Sequence, residues 1–380
     1  MGPLGILGGG QLGRMTLQAA SALGMDVVIA ERFADSPAAR LTSRSIVFTS
    51  GWDDAEALDR LARLAPVVTL ESEFVDAGVL DALERRGARV LPAPACVRVV
   101  QDKLLQKQAL ASAELPVPRF AHVDHPADLR PAGAELGWPV MLKARRDGYD
   151  GRGNVVVRDP AEATAAFTRL GWPERSLFVE AFAQFDHELA VLVVRGIDGQ
   201  IVQYPVVETW QDATLHICRE VLAPADVPLD VAQRAVAIAR GAVEAVDGIG
   251  AFGVELFWLR NGEVCINELA PRPHNSAHYT IEACWTSQFD NHVRAVMGLP
   301  LGDPGLRTPA AAMVNLLGTA TGRVGGEDLR LALAVPQTYV HLYGKSENRP
   351  GRKMGHVTAL GLSADEALTR ARAAASQIPV

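Results

Sequence analysis

Short apolar runs alternate with longer amphipathic stretches at the start of this chain. Leu4–Leu7 is the first run, followed by Gly8-Gly9-Gly10-Gln11-Leu12-Gly13 and helical spacing to about Leu23. Further runs at Asp26–Ala30, Ser45–Phe48, Val67–Leu70 and Arg89–Leu91 are separated by helical segments. Brief apolar strands joined through helices predict an open, mostly parallel sheet over roughly residues 1–95.

Prolines 92 and 94 punctuate the end of this unit. The pattern then predicts a helix over Val97–Ala113, stopped before Pro116 and Pro118. Arg119–Val123 and Trp138–Lys143 read as strands around a helical Ala127–Leu136, and a helix over Pro160–Leu170 leads to the strand Ser176–Phe182. His187–Arg195 and Gln200–Val207 predict a hairpin around Asp198-Gly199, followed by an irregular Glu208–Arg219. Leu229–Val246 and Glu282–Met297 read as helices. Beyond Pro304 and Pro309 come short strands at Ala312–Leu317 and Thr338–Leu342 and an alanine-rich helix from Asp365. The expected units are 1–100, 101–305 with a subdomain at about 119–180, and 306–380.

One hairpin carries chemistry. Asn261-Gly262 between two apolar runs predicts a two-residue turn, because both residues tolerate positive φ. Arg260 then faces Glu263, Phe257 faces Ile266, and Glu255 faces Glu268. That places Glu255 and Glu268 on a face shared with Phe257, Leu259, Val264 and Ile266. Carboxylates so opposed, with Cβ atoms about 5 Å apart, repel each other. Either a hard divalent cation sits between them, magnesium being suited to oxygen ligands, or they splay apart at a solvated sheet end. A one-residue slip would undo the pairing.

Composition removes several classes. The 380 residues are 48% hydrophobic and 21% charged, which suits a globular protein of two or three domains. A net charge of −7 argues against a broad nucleic-acid surface. No apolar run approaches the roughly 20 residues of a membrane span, and Met1 leads directly into a strand without a signal-peptide layout. Cys96, Cys218, Cys265 and Cys284 have no C-x-x-C spacing, which suits a reducing cytoplasm better than a disulfide framework or a zinc site.

Four further stretches carry candidate chemistry. Gly8, Gly10 and Gly13 complete G-x-G-x-x-G, with Glu31 where a dinucleotide fold places its ribose-binding acid. The same turn could also serve any phosphate or ribose. Glu73, just past the fourth strand, is a ligand contact or a helix N-terminal acid. Lys143 closes a strand before the glycine-rich Gly148–Gly153, flanked by Arg145 and Arg146, with a new strand from Val155. This is a phosphate-wrapping flap or a floppy hairpin tip, and it is not a Walker A loop. Tyr343–His356 sets Lys345, Arg349, Arg352 and Lys353 around Pro350-Gly351, an anion site or a solvated basic loop. Glu188 lies in an apolar strand, where a carboxylate needs a partner.

The combination of GGGQLGRM at Gly8–Met15, GYDGRG at Gly148–Gly153, NELAPRPHNS from Asn267 and PGRKMGHV from Pro350 resembles the ATP-grasp superfamily, and within it the carboxylating ligases of purine biosynthesis. The resemblance implies an α/β and α+β chain: a Rossmann-like open parallel-sheet domain, a central ATP-grasp domain and a small C-terminal domain. It also implies that ATP and bicarbonate give carboxyphosphate, which carboxylates 5-aminoimidazole ribonucleotide, with ATP and Mg²⁺ as cofactors and a cytoplasmic homodimer as the working form.

By the same resemblance, Glu255, Glu268 and Asn267 hold magnesium. Arg98, Lys143, the flap Gly148, Tyr149, Asp150, Gly151, Arg152, Gly153 and Asn154, the strand end Glu180, Ala181, Phe182 and Ala183, and Glu188 hold ATP, with Asn267 and Glu268 reaching it through the metal. Arg272, His274, Asn275 and Ser276 cradle bicarbonate. Lys345 and Arg352 grip the ribonucleotide phosphate, Gln11, Leu12 and Glu73 its ribose and ring, and Tyr149 and Asp150 its amine, with Asp150 orienting or deprotonating it.

The sequence departs from that pattern in three places. Asp147 replaces the first flap glycine, Ala277 stands in a usual His-Asn-Ser-Gly-His, and the segment after Glu208 carries Gln211 and His216 in an atypical loop. Rival readings are a sibling ligase such as the formate-dependent glycinamide ribonucleotide transformylase or biotin carboxylase, an NAD- or FAD-dependent oxidoreductase, and a non-catalytic nucleotide-binding module.

Overall fold

The computed structural model describes residues 2–148, 153–212, 214–215, 217–323 and 329–380. The N-terminal runs form a five-stranded parallel sheet in the order Ser45–Val47, Val27–Glu31, Leu4–Leu7, Val67–Leu70, Arg89–Leu91. The strand order reverses beside Leu4–Leu7, so Gly8 and Glu71 meet at the carboxyl ends of neighbouring strands, where open sheets place their functional crevice.

Two antiparallel sheets follow. The smaller runs Phe120–Val123, Leu177–Ala181, Val140–Ala144, Asn154–Val157. The larger has nine strands, in the order Val264–Ala270, Gly250–Leu259, Phe185–Arg195, Val207–Gln211, Cys218–Ala223, Ala310–Leu317, Lys353–Gly361, Thr338–Leu342, with Ile201–Gln203 also on Phe185–Arg195. It crosses residue 305, since Ala310–Leu317 pairs with Cys218–Ala223. The helix Leu229–Ala245 covers one face, packing Val231, Ala235, Ala239 and Ala242 against Leu189, Val191, Val254 and Leu256. That spacing of three and four is the apolar stripe of an amphipathic helix.

Several elements differ from the expectation. The helix predicted over Val97–Ala113 is two, Pro94–Gln101 and Lys103–Ser112. Asp102 breaks it by leaving helical geometry and accepting from the Leu104 and Leu105 N–H groups as a cap. The helix predicted over Glu282–Met297 splits at Cys284, and Ser287 with Asp290 forms a capping box that restarts it. Gln200–Val207 is not one strand: Ile201–Gln203 pairs with Phe185–Arg195 while Val207 begins a strand reaching Gln211. The segment expected to be irregular is therefore largely a hairpin, Val207–Gln211 with Cys218–Ala223. The strand Lys353–Gly361 went unread because its start is polar and basic.

The Asn261-Gly262 turn has three residues. The Gly262 N–H donates to Leu259 O, the Leu259 N–H to Glu263 O, and Gly262 takes φ +85. Phe257 consequently faces Cys265, and Ile266 points into the core with Leu256 rather than sharing the Glu255 face. A bulge at Asn267 then restores the pairing of Glu255 with Glu268.

Candidate active site

The bulge sets the geometry of the site. One extra residue on Val264–Ala270 brings Asn267 and Glu268 to the same neighbourhood as Glu255: Asn267 Nδ2 donates to Glu255 Oε2 at 3.4 Å, and Lys143 Nζ lies 3.4 Å from Asn267 Oδ1. Burial and the facing Glu268 push the Glu255 carboxyl well above the usual carboxylate range. Glu268 moves the other way: burial opposes its charge, but the Lys103 ammonium bonded to it outweighs burial. Two opposed carboxylates and an amide oxygen suit a hard divalent cation, which would remove the repulsion on Glu255. Glu255, Glu268 and Asn267 are the residues that would hold it; among the described residues no three His, Cys, Asp or Glu side chains converge on one point.

Behind this pair lies a buried ladder of charge. Lys143, from the small sheet, meets Glu180 Oε2 at 2.7 Å, and Lys107 meets Glu180 Oε1 at 3.0 Å. Burial would raise the Glu180 pKa, yet the two lysines hold it down to about 2. Lys103 and Lys107 lie four residues apart on one helix face, so Lys103 reaches Glu268 while Lys107 reaches Glu180 behind it. Asp102 anchors that helix, accepting from Arg145 Nε at 3.0 Å and Arg145 Nη2 at 2.6 Å.

The stretch after Ala270 makes a second cluster. Arg272 grips Glu73 with both arms of its guanidinium, Nε to Oε2 and Nη2 to Oε1. His274 Nδ1 pairs with Ser276 Oγ at 2.8 Å, and its Nε2 lies 3.5 Å from Glu255 Oε1. Burial, with Arg272 and Lys353 nearby, pushes the His274 pKa down to about 3, so the ring is neutral at pH 7. Asn275 and Asn315 exchange amide hydrogen bonds of 2.9 and 2.7 Å. Ala277, in a short 3-10 turn, is buried and does not take a positive φ.

The glycine turn has a different use from the one its pattern suggests. Gly10 and Gly13 N–H groups donate to Glu71 at 2.7 and 2.8 Å, and the Gly9 N–H to Glu31 Oε2 at 2.8 Å. Protein carboxylates fill the place a dinucleotide pyrophosphate would need, and Glu31 caps the turn instead of a ribose. A Cβ on Gly10 would come within 2.5 Å of Glu71 Oε1, which explains the glycine. Leu12 packs in the core and Gln11 is half-buried beside the turn.

The remaining predicted residues are more dispersed. Lys345 donates to Lys353 O at 2.7 Å, and its charge bears on Glu71, which brings the basic loop against the glycine turn. Arg352 is half-buried and donates to Glu347 O at 2.8 Å. Gln211 donates to Glu188 Oε2 at 2.6 Å, which places it at the carboxylate expected to meet ribose. Phe182 is exposed at the end of Leu177–Ala181, with Ala183 just beyond it. Arg98 is not brought to the cleft: it pairs with Asp81 on the N-terminal domain surface. Gly153 takes φ +98, and its O accepts from the Ala144 N–H, while Asn154 pairs with Lys143 across the small sheet. Tyr149, Asp150, Gly151, Arg152 and His216 lie outside the described residues. Asp147, standing where a glycine is usual, takes φ +60, a left-handed conformation that Asp tolerates better than most residues.

A cleft of about 180 Å³ opens between these clusters, lined by Glu73, Lys103, Arg146, Gly148 and Glu268 among others. A larger groove of about 690 Å³ lies against Leu229–Ala245 and contains none of the site residues. Sequence reading missed Lys103, Lys107 and Lys353 as site residues. The first two carried a signal in their four-residue spacing. Lys353 was noted only as part of a basic loop, whereas its charge bears on Glu255, His274 and His278.

Two sheets clasping a cleft, with lysines on one side and paired carboxylates on the other, define a nucleotide-dependent ligase scaffold. Residues 108–289 match the ATP-grasp domain, 1–101 the ribonucleotide synthetase preATP-grasp domain, and 311–370 the phosphoribosylaminoimidazole carboxylase C-terminal domain. A phosphoribosylaminoimidazole carboxylase of Schizosaccharomyces pombe is 42% identical over 96% of this chain, which spans 66% of that relative's length. The N5-carboxyaminoimidazole ribonucleotide synthase of Synechococcus elongatus is 41% identical over 99% of this chain and 93% of its own. The crystal structure of N5-carboxyaminoimidazole synthase from Aspergillus clavatus, in complex with ADP and 5-aminoimidazole ribonucleotide, aligns with a TM-score of 0.87 at 36% identity, covering 99% of this chain and 98% of that one. The chain belongs to the ATP-grasp superfamily and, within it, to the N5-carboxyaminoimidazole ribonucleotide synthase family.

Proposed function

We propose that this chain is an ATP- and bicarbonate-dependent ligase that carboxylates the exocyclic amine of 5-aminoimidazole ribonucleotide, in purine biosynthesis. The observation that carries the reading is the adjacency of the Glu255–Glu268 pair to the Arg272–His274–Asn275 cluster. Phosphate activation and an oxyanion cradle stand side by side. The relative crystallised with ADP and 5-aminoimidazole ribonucleotide supports the choice of substrate.

The chemistry follows from these residues. A bicarbonate oxygen attacks the γ-phosphorus of ATP, the bond to the β–γ bridging oxygen breaks, and ADP leaves. Lys143 and Lys103 balance negative charge on the phosphates. Magnesium held by Glu255, Glu268 and Asn267 would supply further charge neutralisation there. The amine nitrogen then attacks the carboxyl carbon of carboxyphosphate, inorganic phosphate leaves, and the amine loses a proton. Arg272 and Asn275 would hold the carboxylate oxygens, and neutral His274 is able to exchange a proton at its ring nitrogen. By resemblance, Asp150 orients the amine or takes its proton. Lys345 and Arg352 would hold the ribonucleotide phosphate beside Gln11, Leu12 and Glu73.

Exposed Leu331, Leu333 and Leu362 near the C-terminal end support a homodimer with a surface there. None of the four cysteines is in a disulfide, which suits the cytoplasm, and among the described residues no helix is long and apolar enough to cross a membrane. The test of the carboxylation route is oxygen-18 bicarbonate. One labelled oxygen in the released phosphate is the expected result, and unlabelled phosphate would refute a carboxyphosphate route.

A further inference from the structure

Lys107 is a buried charged residue whose partners are Glu180 and the Ile266 backbone, with no substrate assigned to it. Its side chain is 2% exposed, and its Nζ donates to Ile266 O at 3.0 Å. Its counter-ion is Glu180, 3.0 Å away, and the other oxygen of that carboxylate is 2.7 Å from Lys143. One buried carboxylate is thus shared between two buried ammonium groups. Burying an ammonium is costly unless its charge is used or balanced, and Glu180 could balance Lys143 alone. Lys143 also leans toward Asn267, at the cation pair, whereas Lys107 points away from it to the backbone of Ile266.

We propose that Lys107 is a positioning residue for ATP: by occupying one oxygen of Glu180, it leaves the Lys107–Glu180–Lys143 triad with one net positive charge, expressed at Lys143 toward the triphosphate. Without Lys107, Glu180 and Lys143 close into a neutral pair and the phosphates meet no net charge from this side. The inference rests on Lys143 as a phosphate ligand.

Charge balance gives a test that packing alone would not pass. Lys107→Met keeps most of the side-chain volume and should raise KM for ATP by about tenfold or more, the scale of a charged hydrogen bond, with a smaller change in kcat. Lys107→Met combined with Glu180→Gln should recover most of that loss, because Lys143 regains an uncompensated charge. Lys107→Arg should stay near the parent. An unchanged KM for ATP in Lys107→Met, or a double variant no better than the single one, would overturn the proposal. If Lys107→Met does not fold, Lys107→Gln decides in its place: a KM for ATP raised about tenfold supports the proposal and an unchanged one overturns it. Lys143→Met is the control. If that variant binds ATP normally, the reading of Lys143 has failed rather than the role of Lys107.

Discussion

Glu255 stands directly across the hairpin from Glu268, and two one-residue shifts that offset each other bring it there. The three-residue turn at Gly262 moves the register by one, and the bulge at Asn267 moves it back. The second shift is the functional one, since it adds Asn267 to the pair. Glu268→Gln removes the repulsion on Glu255 and also the ion pair with Lys103, two changes of opposite sign. Turnover should fall by about a hundredfold or more while the melting temperature moves little. Near-parent turnover at low magnesium would show that the pair holds no metal.

Lys345 is the residue of the basic loop whose charge bears on Glu71 at the glycine turn, with its Nζ 5.4 Å from the Tyr343 ring centroid. Lys345→Ala should raise KM for the ribonucleotide by about tenfold and leave KM for ATP within about twofold, as expected when one phosphate contact is lost. Steady-state kinetics with each substrate varied in turn measures both. A selective loss of ATP affinity would contradict the assignment.

Stability should depend on pH through His292. Its Nδ1 accepts from the Ala251 N–H at 3.0 Å and its Nε2 lies 2.9 Å from Thr69 Oγ1, which joins the N-terminal sheet to the central one. Burial holds its pKa down to about 4, and His274 is held down to about 3. In the unfolded chain both would take a proton near pH 6.5, so the unfolded state binds more protons below that value. Their contribution is fully present above about pH 6.5 and falls by about 1.4 kcal/mol per group per pH unit as the pH drops toward the folded values. Urea unfolding at about pH 7 and pH 5.5 should show the loss, and a smaller loss in His292→Asn; equal stability at both values would contradict it.

The sequence made the parallel sheet and the opposed carboxylates legible, because strand periodicity and turn residues act locally. It did not reveal what fills the glycine turn. Glu71 lies 58 residues from Gly13, and only the return of Val67–Leu70 beside Leu4–Leu7 brings them together. Asp102 was hidden for a similar reason: apolar spacing runs through it, while the Arg145 that anchors it follows a strand of the small sheet, 43 residues away. The spacing of Lys107 from Lys103 marks a shared helix face, but its burial shows only once Glu180 is placed against it. Side chains that serve partners distant in sequence carry little local signal.

Phosphate release in a purified system tests the central claim most directly. It should require ATP, magnesium, bicarbonate and 5-aminoimidazole ribonucleotide together, and omission of any one should reduce it to background. No release with that ribonucleotide, but release with formate and glycinamide ribonucleotide, would contradict the account.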